Sequence, residues 1–337
     1  MILLGIESSC DDTSAAVSRN AEVLSSITAS QKEHDQFGGI VPELASRAHD
    51  QKIMHTVRMA LSEASVSLDQ VDAIVVTQGP GLIGSLLVGL TFAKGLALSR
   101  GLPLVGVNHI DAHMYAAFIG QEEIPTPFLS LIVSGGHTRL VLVQKPLHHR
   151  LLGTTRDDAA GEAFDKSGKL MGLGYPAGPL IDQLAQKGAT SRFEFPQALR
   201  NEGYEFSFSG LKTSVRYTLE KMTHEEIEAS IPDLSSAVSE AITGILIHKL
   251  RRAISETGVQ KVVISGGVSA NSMLRNKAES LAEELHLDVF LPPLKYCTDN
   301  AGMICRLGLL HIQQDPTLLT QSPELSMNMT AYSRYPE

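Results

Sequence analysis

Cysteine is scarce in this sequence. Its three cysteines, Cys10, Cys297 and Cys305, form neither a Cys-x-x-Cys pair nor an even-numbered framework. Small secreted domains that rely on disulfides are far richer in cysteine, whereas reducing compartments keep isolated thiols free. We therefore expect free thiols and a cytoplasmic protein.

The chain also lacks the uncharged apolar run that a membrane span requires, which is about 18 residues or more. The longest candidate, residues 85–99, is interrupted by Lys94 and two glycines. The apolar start, residues 1–6, has no basic segment before it and is followed at once by Glu7, so it is predicted to be a strand and not a signal peptide. The sequence therefore predicts no membrane association.

Positive charge is in deficit, because 28 Lys and Arg residues stand against 37 Asp and Glu residues, a formal net charge of -9. Proteins that bind nucleic acid without a partner protein usually carry a surplus of basic residues. If RNA is a substrate, a local basic patch or a partner protein must guide it. One candidate patch is Lys212 with Arg216, and another is Lys249 with Arg251 and Arg252, although each group is also typical of a solvated helix face.

The chain has enough length and apolar content for two hydrophobic cores, with 337 residues of which 43% are hydrophobic. A strand, polar turn, strand pattern surrounds residues 8–14 and recurs around residues 134–138. We therefore predict a duplicated α/β protein with a nucleotide cleft between two lobes. The first lobe comprises residues 1–127 and about 300–337, and the second comprises residues 128–299.

Ser-Gly-Gly turns follow two predicted strands, at residues 134–136 and 265–267. Paired glycines let backbone N–H groups approach a phosphate or a sugar, and a following helix N-terminus favours negative charge. One such turn is most simply a tight connection. Two copies, with the polar turn at residues 8–14, resemble the fold that actin, sugar kinases and Hsp70 share (ASKHA), which implies two ribonuclease-H-like lobes. The Gly- and Pro-rich segment 161–179 is predicted to be a loop that lines the cleft.

Two histidines, His109 and His113, have the spacing of one helix face, on which both can share one ion. Because Ile110 and not glutamate follows His109, the general base of the HExxH metallopeptidases is missing and that chemistry is disfavoured. Asp299 is a candidate third ligand, and its alternative role is a helix N-cap. Two imidazoles and one carboxylate with open positions suit Fe(II) or Zn(II).

Several longer motifs resemble one family, the tRNA threonylcarbamoyladenosine transferases, in its bacterial form, which was formerly described as a glycoprotein endopeptidase. The resemblance covers nearly the whole chain in order. Its motifs are GIESSCDDT at 5–13, GGIVPE at 38–43, GPGL at 79–82, HIDAH at 109–113, VSGGHT at 133–138, GEAFDK at 161–166, FSGLK at 208–212, the loop through Asn271, and CTDNAGM at 297–303.

This resemblance implies transfer of a threonylcarbamoyl group from threonylcarbamoyl-AMP to the exocyclic N6 amine of adenosine 37, in tRNAs that read ANN codons. It implies that His109, His113 and Asp299 bind one divalent metal ion per subunit, with Fe²⁺ expected before Zn²⁺. It also implies a pocket for the adenylated substrate, or for another AMP- or ATP-like ligand. The implied pocket residues are Val133, Ser134, Gly135, Gly136, His137, Asp165, Gly178, Asp182 and Asn271.

Some of these residues also have ordinary structural interpretations. Asp165 and Asp182 suit ribose hydroxyls but are elsewhere common surface carboxylates, and Asn271 at a helix start can act as a cap. A carboxylate of the first turn, Asp11 in preference to Asp12, can take the proton of the attacking amine, and His137 is the competing base.

The resemblance implies working partners in addition to the tRNA: a threonylcarbamoyl-AMP synthase, a paralogous TsaB-like subunit that pairs with the first lobe, and a small TsaE-like ATPase. Predicted helices near 41–64 and 84–99 are candidate contact surfaces. Three alternatives stay open: a small-molecule kinase or ATPase of the same fold, a non-catalytic scaffold of that fold, and a metallopeptidase. The kinase alternative leaves the histidine pair and Asp299 without a role.

Overall fold

The fold comes from a computed structural model that describes residues 1–31, 34 and 39–334. The first residue of the GGIVPE motif, Gly38, lies outside the described residues. The chain divides into two compact units, with boundaries after Ile124 and after Cys297. The second boundary places Asp299 in the same unit as His109 and His113.

Ten strands and ten α-helices form the two units in the described ranges. The strands are β1 (Ile2–Glu7), β2 (Thr13–Arg19), β3 (Glu22–Ala29), β4 (Ala73–Gly79), β5 (Leu104–Asn108), β6 (Phe128–Val133), β7 (Thr138–Lys145), β8 (His148–Thr154), β9 (Lys261–Ser265) and β10 (Asp288–Phe290). The helices are α1 (Pro42–Glu63), α2 (Ile83–Arg100), α3 (His109–Tyr115), α4 (Ala160–Leu170), α5 (Gly178–Ala185), α6 (Ser209–Leu219), α7 (His224–Thr257), α8 (Ser272–Leu285), α9 (Ala301–Gln314) and α10 (Pro323–Ser326).

The first unit contains a five-stranded sheet in the order β3-β2-β1-β4-β5. Strands β1, β2 and β3 are antiparallel, and β4 and β5 run parallel to β1. The sheet is covered on both faces, which explains its continuous apolar strands. Leu4 and Ile6 pack with α1 and α2. Gly5 faces α9, where an added Cβ would lie 2.6 Å from Cys305 Sγ.

The second unit repeats this topology in the order β10-β9-β6-β7-β8, again with three antiparallel strands followed by two parallel ones. Its core is built on the long helix α7. A capping box between Thr223 and Glu226 starts this helix, and Gly258 ends it with φ 69°. The predicted α/β class and the duplicated sheet are confirmed.

The loop predicted for residues 161–179 is wrong over most of its length, because α4 and the start of α5 occupy it. Glycine serves close helix packing here. A Cβ on Gly161 would lie 2.7 Å from the Ser134 carbonyl oxygen, and one on Gly168 would lie 2.2 Å from Ala177 Cβ.

The prediction that Lys249 belongs to a basic surface patch is wrong. Lys249 is fully buried, and its ammonium donates to the carbonyl oxygens of Glu202 at 2.5 Å and Gly203 at 3.1 Å, and also to that of Leu199. This lysine therefore holds the loop 199–203 against α7. Arg251, which belongs to the same predicted patch, is partly exposed and pairs with Glu284.

One described helix, α2, is long and apolar enough to cross a membrane by length and composition alone. Its inner face packs in the core of the first unit through Leu90, Ala93 and Ala97. Lys94 on this helix donates to the carbonyl oxygens of Met327 at 2.9 Å and Met329 at 2.6 Å. These contacts integrate α2 into the fold of the unit.

Candidate active site

The candidate metal ligands converge at the start of α3. Asn108 caps this helix by accepting hydrogen bonds from Ile110 N at 2.8 Å and Asp111 N at 3.1 Å, so α3 begins at His109. His109 Nε2 lies 3.4 Å, and His113 Nε2 lies 3.3 Å, from the same Asp299 carboxylate oxygen. One ligand atom from each residue lies within 4.8 Å of the other two.

The alternative role of Asp299 as a helix cap is wrong. Helix α9 begins at Ala301, and its cap is Asn300, whose side-chain oxygen accepts a hydrogen bond from Met303 N at 3.0 Å. The Asp299 carboxylate is therefore directed to the histidines and is available as a ligand.

The electrostatics of the cluster favour a cation. Burial lowers the pKa of His109, but the carboxylates of Asp299 and Glu7, one at each ring nitrogen, outweigh burial and raise that pKa well above its ordinary value. Burial raises the pKa of Asp299, but His109 and His113 outweigh burial and hold it well below its ordinary value. A buried negative carboxylate facing two imidazole nitrogens is a donor set for a divalent transition metal.

The turn between β1 and β2 carries Asp11 and Asp12, and helix α1 fixes it. His49 on α1 donates from Nε2 to the Cys10 carbonyl at 2.9 Å and accepts the Thr13 hydroxyl proton at Nδ1, at 2.7 Å. Burial raises the pKa of Asp12 to about 6. The sequence preferred Asp11 to Asp12 as a base, and it gave no signal for His49 or for the raised pKa of Asp12, because both depend on contacts across the fold.

In the second unit, the two Ser-Gly-Gly turns lie side by side because β6 and β9 are parallel neighbours. The Ser134 amide donates to the His137 carbonyl at 2.8 Å, which closes the first turn. Gly135 and Gly136 are exposed, and a Cβ on either would meet no atom within 4 Å. Gly266 has φ +88°, and a Cβ there would lie 2.4 Å from the Val133 carbonyl oxygen.

The two acidic residues of the predicted pocket accept hydrogen bonds from backbone amides at the starts of helices. Asp165 accepts hydrogen bonds from Ala177 N at 2.8 Å and Gly178 N at 3.3 Å. Burial raises the pKa of Asp165 despite these two bonds. Asp182 accepts from Ser272 N at 2.9 Å and from the Ser272 hydroxyl at 2.7 Å. The described contacts thus join Asp165 to Gly178, and Asp182 to the start of α8.

Asn271 performs the capping role that the sequence offered as an alternative. Its side-chain oxygen accepts a hydrogen bond from Leu274 N at 3.0 Å and starts α8. Through Ser272, the next residue, it is adjacent to Asp182. The cap uses the side-chain oxygen of Asn271, and the amide nitrogen of this side chain takes no part in it.

The fold and the histidine centre define a class of protein, namely a two-unit α/β protein of the ASKHA type with a candidate metal site in its first unit. Two solved structures share the fold. Full-length HypF in the phosphate- and nucleotide-bound form has a TM-score of 0.60 at 12% identity, over 94% of this chain and 46% of that chain. The activator of the 2-hydroxyisocaproyl-CoA dehydratase from Clostridium difficile with bound ADPNP has a TM-score of 0.55 at 14% identity, over 94% of this chain and 97% of that chain.

The family model for TsaD, tRNA N6-adenosine threonylcarbamoyltransferase, matches residues 22–305. A relative with this name from Thermosipho africanus is 46% identical over 91% of this chain and 93% of its own length. Another from Salinibacter ruber is 48% identical over 97% of this chain and all of its own length. The chain therefore belongs to the tRNA N6-adenosine threonylcarbamoyltransferase family, and the predicted resemblance is confirmed. It is a transferase that acts on adenosine in tRNA, and the small-molecule kinase alternative is not favoured.

Proposed function

We propose that the donor is threonylcarbamoyl-AMP and that the acceptor is the N6 amine of adenosine 37 in tRNAs that read ANN codons. We further propose that His109, His113 and Asp299 hold one divalent metal ion, Fe²⁺ before Zn²⁺. The observation that carries the metal proposal is the convergence of these three side chains, with Asn300 and not Asp299 capping α9. Family membership supports the reaction.

The three ligands fit a metal because each offers an atom whose contacts, among the described residues, lie within the cluster itself. Both Nε2 atoms and one carboxylate oxygen face each other, and His109 presents its other nitrogen to Glu7. A bound divalent cation would polarise an oxygen of the threonylcarbamoyl group and help to orient it. The remaining chemistry belongs to the side chains of the protein.

In the proposed transfer, the adenosine amine attacks the carbamoyl carbon, a C–N bond forms, and the C–O bond to the phosphate breaks. AMP leaves with the electron pair, and the amine proton passes to a base. Asp11, Asp12 and His137 are the predicted candidates. Burial raises the pKa of Asp12 to about 6, which suits proton transfer near neutral pH and favours Asp12 over the order expected from the sequence.

We propose that the second unit binds the adenylate part of the donor, or a related AMP- or ATP-like ligand. Gly135 and Gly136 are exposed, and the space beside them is open to a phosphate, because a Cβ added at either glycine would meet no atom within 4 Å. The proposed set is completed by Val133, Ser134, His137, Asp165, Gly178, Asp182 and Asn271. The contact of Asp165 with Gly178 and that of Asp182 with Ser272, the neighbour of Asn271, support the proximity of these two pairs.

A reconstituted transfer assay tests the proposed reaction. It contains labelled threonine, bicarbonate, ATP, a threonylcarbamoyl-AMP synthase, the partner proteins and unmodified tRNA, with or without this chain. We expect label in tRNA only when the chain is present, and its loss for His109→Ala with His113→Ala. Full transfer by that double variant in metal-free buffer would contradict the metal proposal.

We propose that a paralogous, TsaB-like subunit docks on the groove between α1 and α2. This groove has a volume of about 840 Å³ and an apolar lining that includes Met54, Val57, Leu87 and Phe92. Met54 and Leu87 are each 50% exposed. Exposed apolar residues that form one patch are typical of a protein interface. We also propose that a threonylcarbamoyl-AMP synthase and a small TsaE-like ATPase are working partners of this chain, and that it acts in the cytoplasm.

Leu87→Asp tests the docking surface in a binding assay with the purified paralogous subunit. We expect the charge to abolish complex formation. Leu151→Asp is the matched control, because Leu151 is 47% exposed on β8 in the second unit. If Leu87→Asp binds the paralogous subunit as tightly as Leu151→Asp and the unmodified protein do, the docking proposal is contradicted.

A further inference from the structure

Glu7 is a fully buried carboxylate at the end of β1. Its Oε1 accepts a hydrogen bond from the Ser9 amide. Its Oε2 accepts the Thr77 hydroxyl proton at 2.6 Å and faces His109 Nδ1 at 2.9 Å. A buried carboxylate is costly unless it is paired and hydrogen-bonded, and Glu7 has both kinds of partner.

The sheet brings these partners together from distant parts of the chain. Strand β4 is the parallel neighbour of β1, with Ile6 opposite Val76, so Thr77 lies beside Glu7. Strand β5 is the next neighbour, and α3 follows it directly. Helix α3 therefore begins close to Glu7, and its first residue, His109, lies within hydrogen-bond distance of the Glu7 carboxylate.

This contact determines which nitrogen of His109 can bind a metal. When Nε2 binds the ion, the proton of a neutral His109 is on Nδ1, where the ionised Glu7 carboxylate can only accept it; the Ser9 hydroxyl lies 3.1 Å from the same nitrogen. Nε2 then carries the lone pair, and it is the nitrogen that faces Asp299 at 3.4 Å. The other candidate histidine differs, because His113 Nδ1 is buried without a hydrogen-bond partner among the described residues.

We propose that Glu7 is a positioning residue for the metal centre. By accepting the Nδ1 proton, it selects the tautomer of His109 and fixes the imidazole with Nε2 directed at the ion. The proposal rests on the metal role of His109, His113 and Asp299 proposed above, and it adds a residue outside these three proposed ligands. Such partners of metal-ligating histidines typically contribute about 10- to 100-fold to metal affinity.

Glu7→Gln is a sharp test, because the amide has the shape of the carboxylate but one of its two ends must donate. If its oxygen keeps the Ser9 amide, its NH₂ group faces His109 Nδ1, which then favours the proton on the metal-facing Nε2. If the amide is reversed, its NH₂ group meets the Ser9 N–H. Thr77→Val is the matched control, since it removes a neutral donor to the same oxygen and keeps the carboxylate.

The measurement is Zn²⁺ affinity by competition with a chromophoric chelator, with folding checked by circular dichroism. We expect Glu7→Gln to lose about 10- to 100-fold in affinity and Thr77→Val to stay near the unmodified protein. Equal affinity for Glu7→Gln and the unmodified protein overturns the role of Glu7 alone. No Zn²⁺ binding by the unmodified protein overturns the metal centre and the role of Glu7 together.

A second measurement needs no substitution at Glu7 and covers the case in which that variant does not fold. Histidine ¹⁵N spectra of the Zn²⁺-loaded protein report the tautomer of each ring, and the signal missing in His109→Gln identifies His109. We expect a proton on Nδ1 and a metal-bound Nε2. A metal-bound Nδ1, or a proton on Nε2, overturns the proposal.

Discussion

Asn300 caps helix α9, and its neighbour Asp299 faces His113 at 3.3 Å instead. Asn300 therefore caps the helix, and Asp299 is available as a metal ligand. We predict that Asn300→Ala lowers the free energy of unfolding by about 0.5–2 kcal/mol, the usual cost of a lost cap. Asp299→Asn is expected to reduce Zn²⁺ affinity more strongly than Asn300→Ala does. Urea unfolding and chelator competition measure the two effects, and the reverse ranking in affinity would contradict the division of roles.

Two adjacent glycines in the second Ser-Gly-Gly turn are predicted to differ in their tolerance of a side chain. Gly266→Ala forces a Cβ to within 2.4 Å of the Val133 carbonyl oxygen at a φ of +88°, so we expect a loss of about 1–3 kcal/mol in stability. Gly267→Ala meets no atom within 4 Å and is the control. Thermal unfolding of both variants tests this, and equal melting temperatures would show that the turn is not as constrained as described.

Lys249 is predicted to act on stability and not on tRNA. Lys249→Met removes the ammonium that donates to the carbonyl oxygens of Leu199, Glu202 and Gly203, and we expect destabilisation by about 1–3 kcal/mol. Arg251→Met is the control at an exposed ion pair, with an expected change below about 1 kcal/mol. Chemical unfolding measures both changes. If the Lys249→Met protein is stable but no longer binds tRNA, the prediction that Lys249 has only a structural role is contradicted.

Asp157 is predicted to make stability depend on acid pH. Burial raises its pKa, but hydrogen bonds from Ser207, Phe208 and Ser209 outweigh burial and lower it below the ordinary value of 3.8. A lowered pKa contributes stability above the ordinary value, and that contribution disappears as the pH falls through the pKa of the folded state.

Asp157→Asn should therefore cost about 1 kcal/mol at neutral pH, after allowance for partial exposure. The deficit should shrink as the pH falls below 3.8 and vanish below the lower pKa of the folded state. Urea unfolding at a series of pH values gives this difference directly. Asp288→Asn removes an exposed carboxylate on β10 and is the control. A deficit for Asp157→Asn that persists in acid would contradict the assignment.

The sequence predicted those features that depend on local periodicity. The helices expected near 41–64 and 84–99 are α1, Pro42–Glu63, and α2, Ile83–Arg100. The histidine spacing correctly indicated that His109 and His113 share a helix. The structure adds that Asp299 faces them both, whereas the residues alone had left its role open between a ligand and a helix cap.

Features that depend on packing were not predictable in this way. Gly161 and Gly168 suggested a loop, yet both lie in α4, where they permit contacts that a Cβ would block. Lys249 had the pattern of a surface charge, and its burial depends on a contact with Leu199, which lies 50 positions earlier in the chain. The link between Glu7 and His109 spans 102 positions, so no local pattern could indicate it.

The most direct test of the metal centre is anomalous diffraction from a crystal of the Zn²⁺- or Fe²⁺-loaded protein. We predict one anomalous peak about 2.0–2.2 Å from His109 Nε2, His113 Nε2 and an Asp299 carboxylate oxygen. A metal ion bound at another group of residues, with these three side chains uncoordinated, would contradict the account.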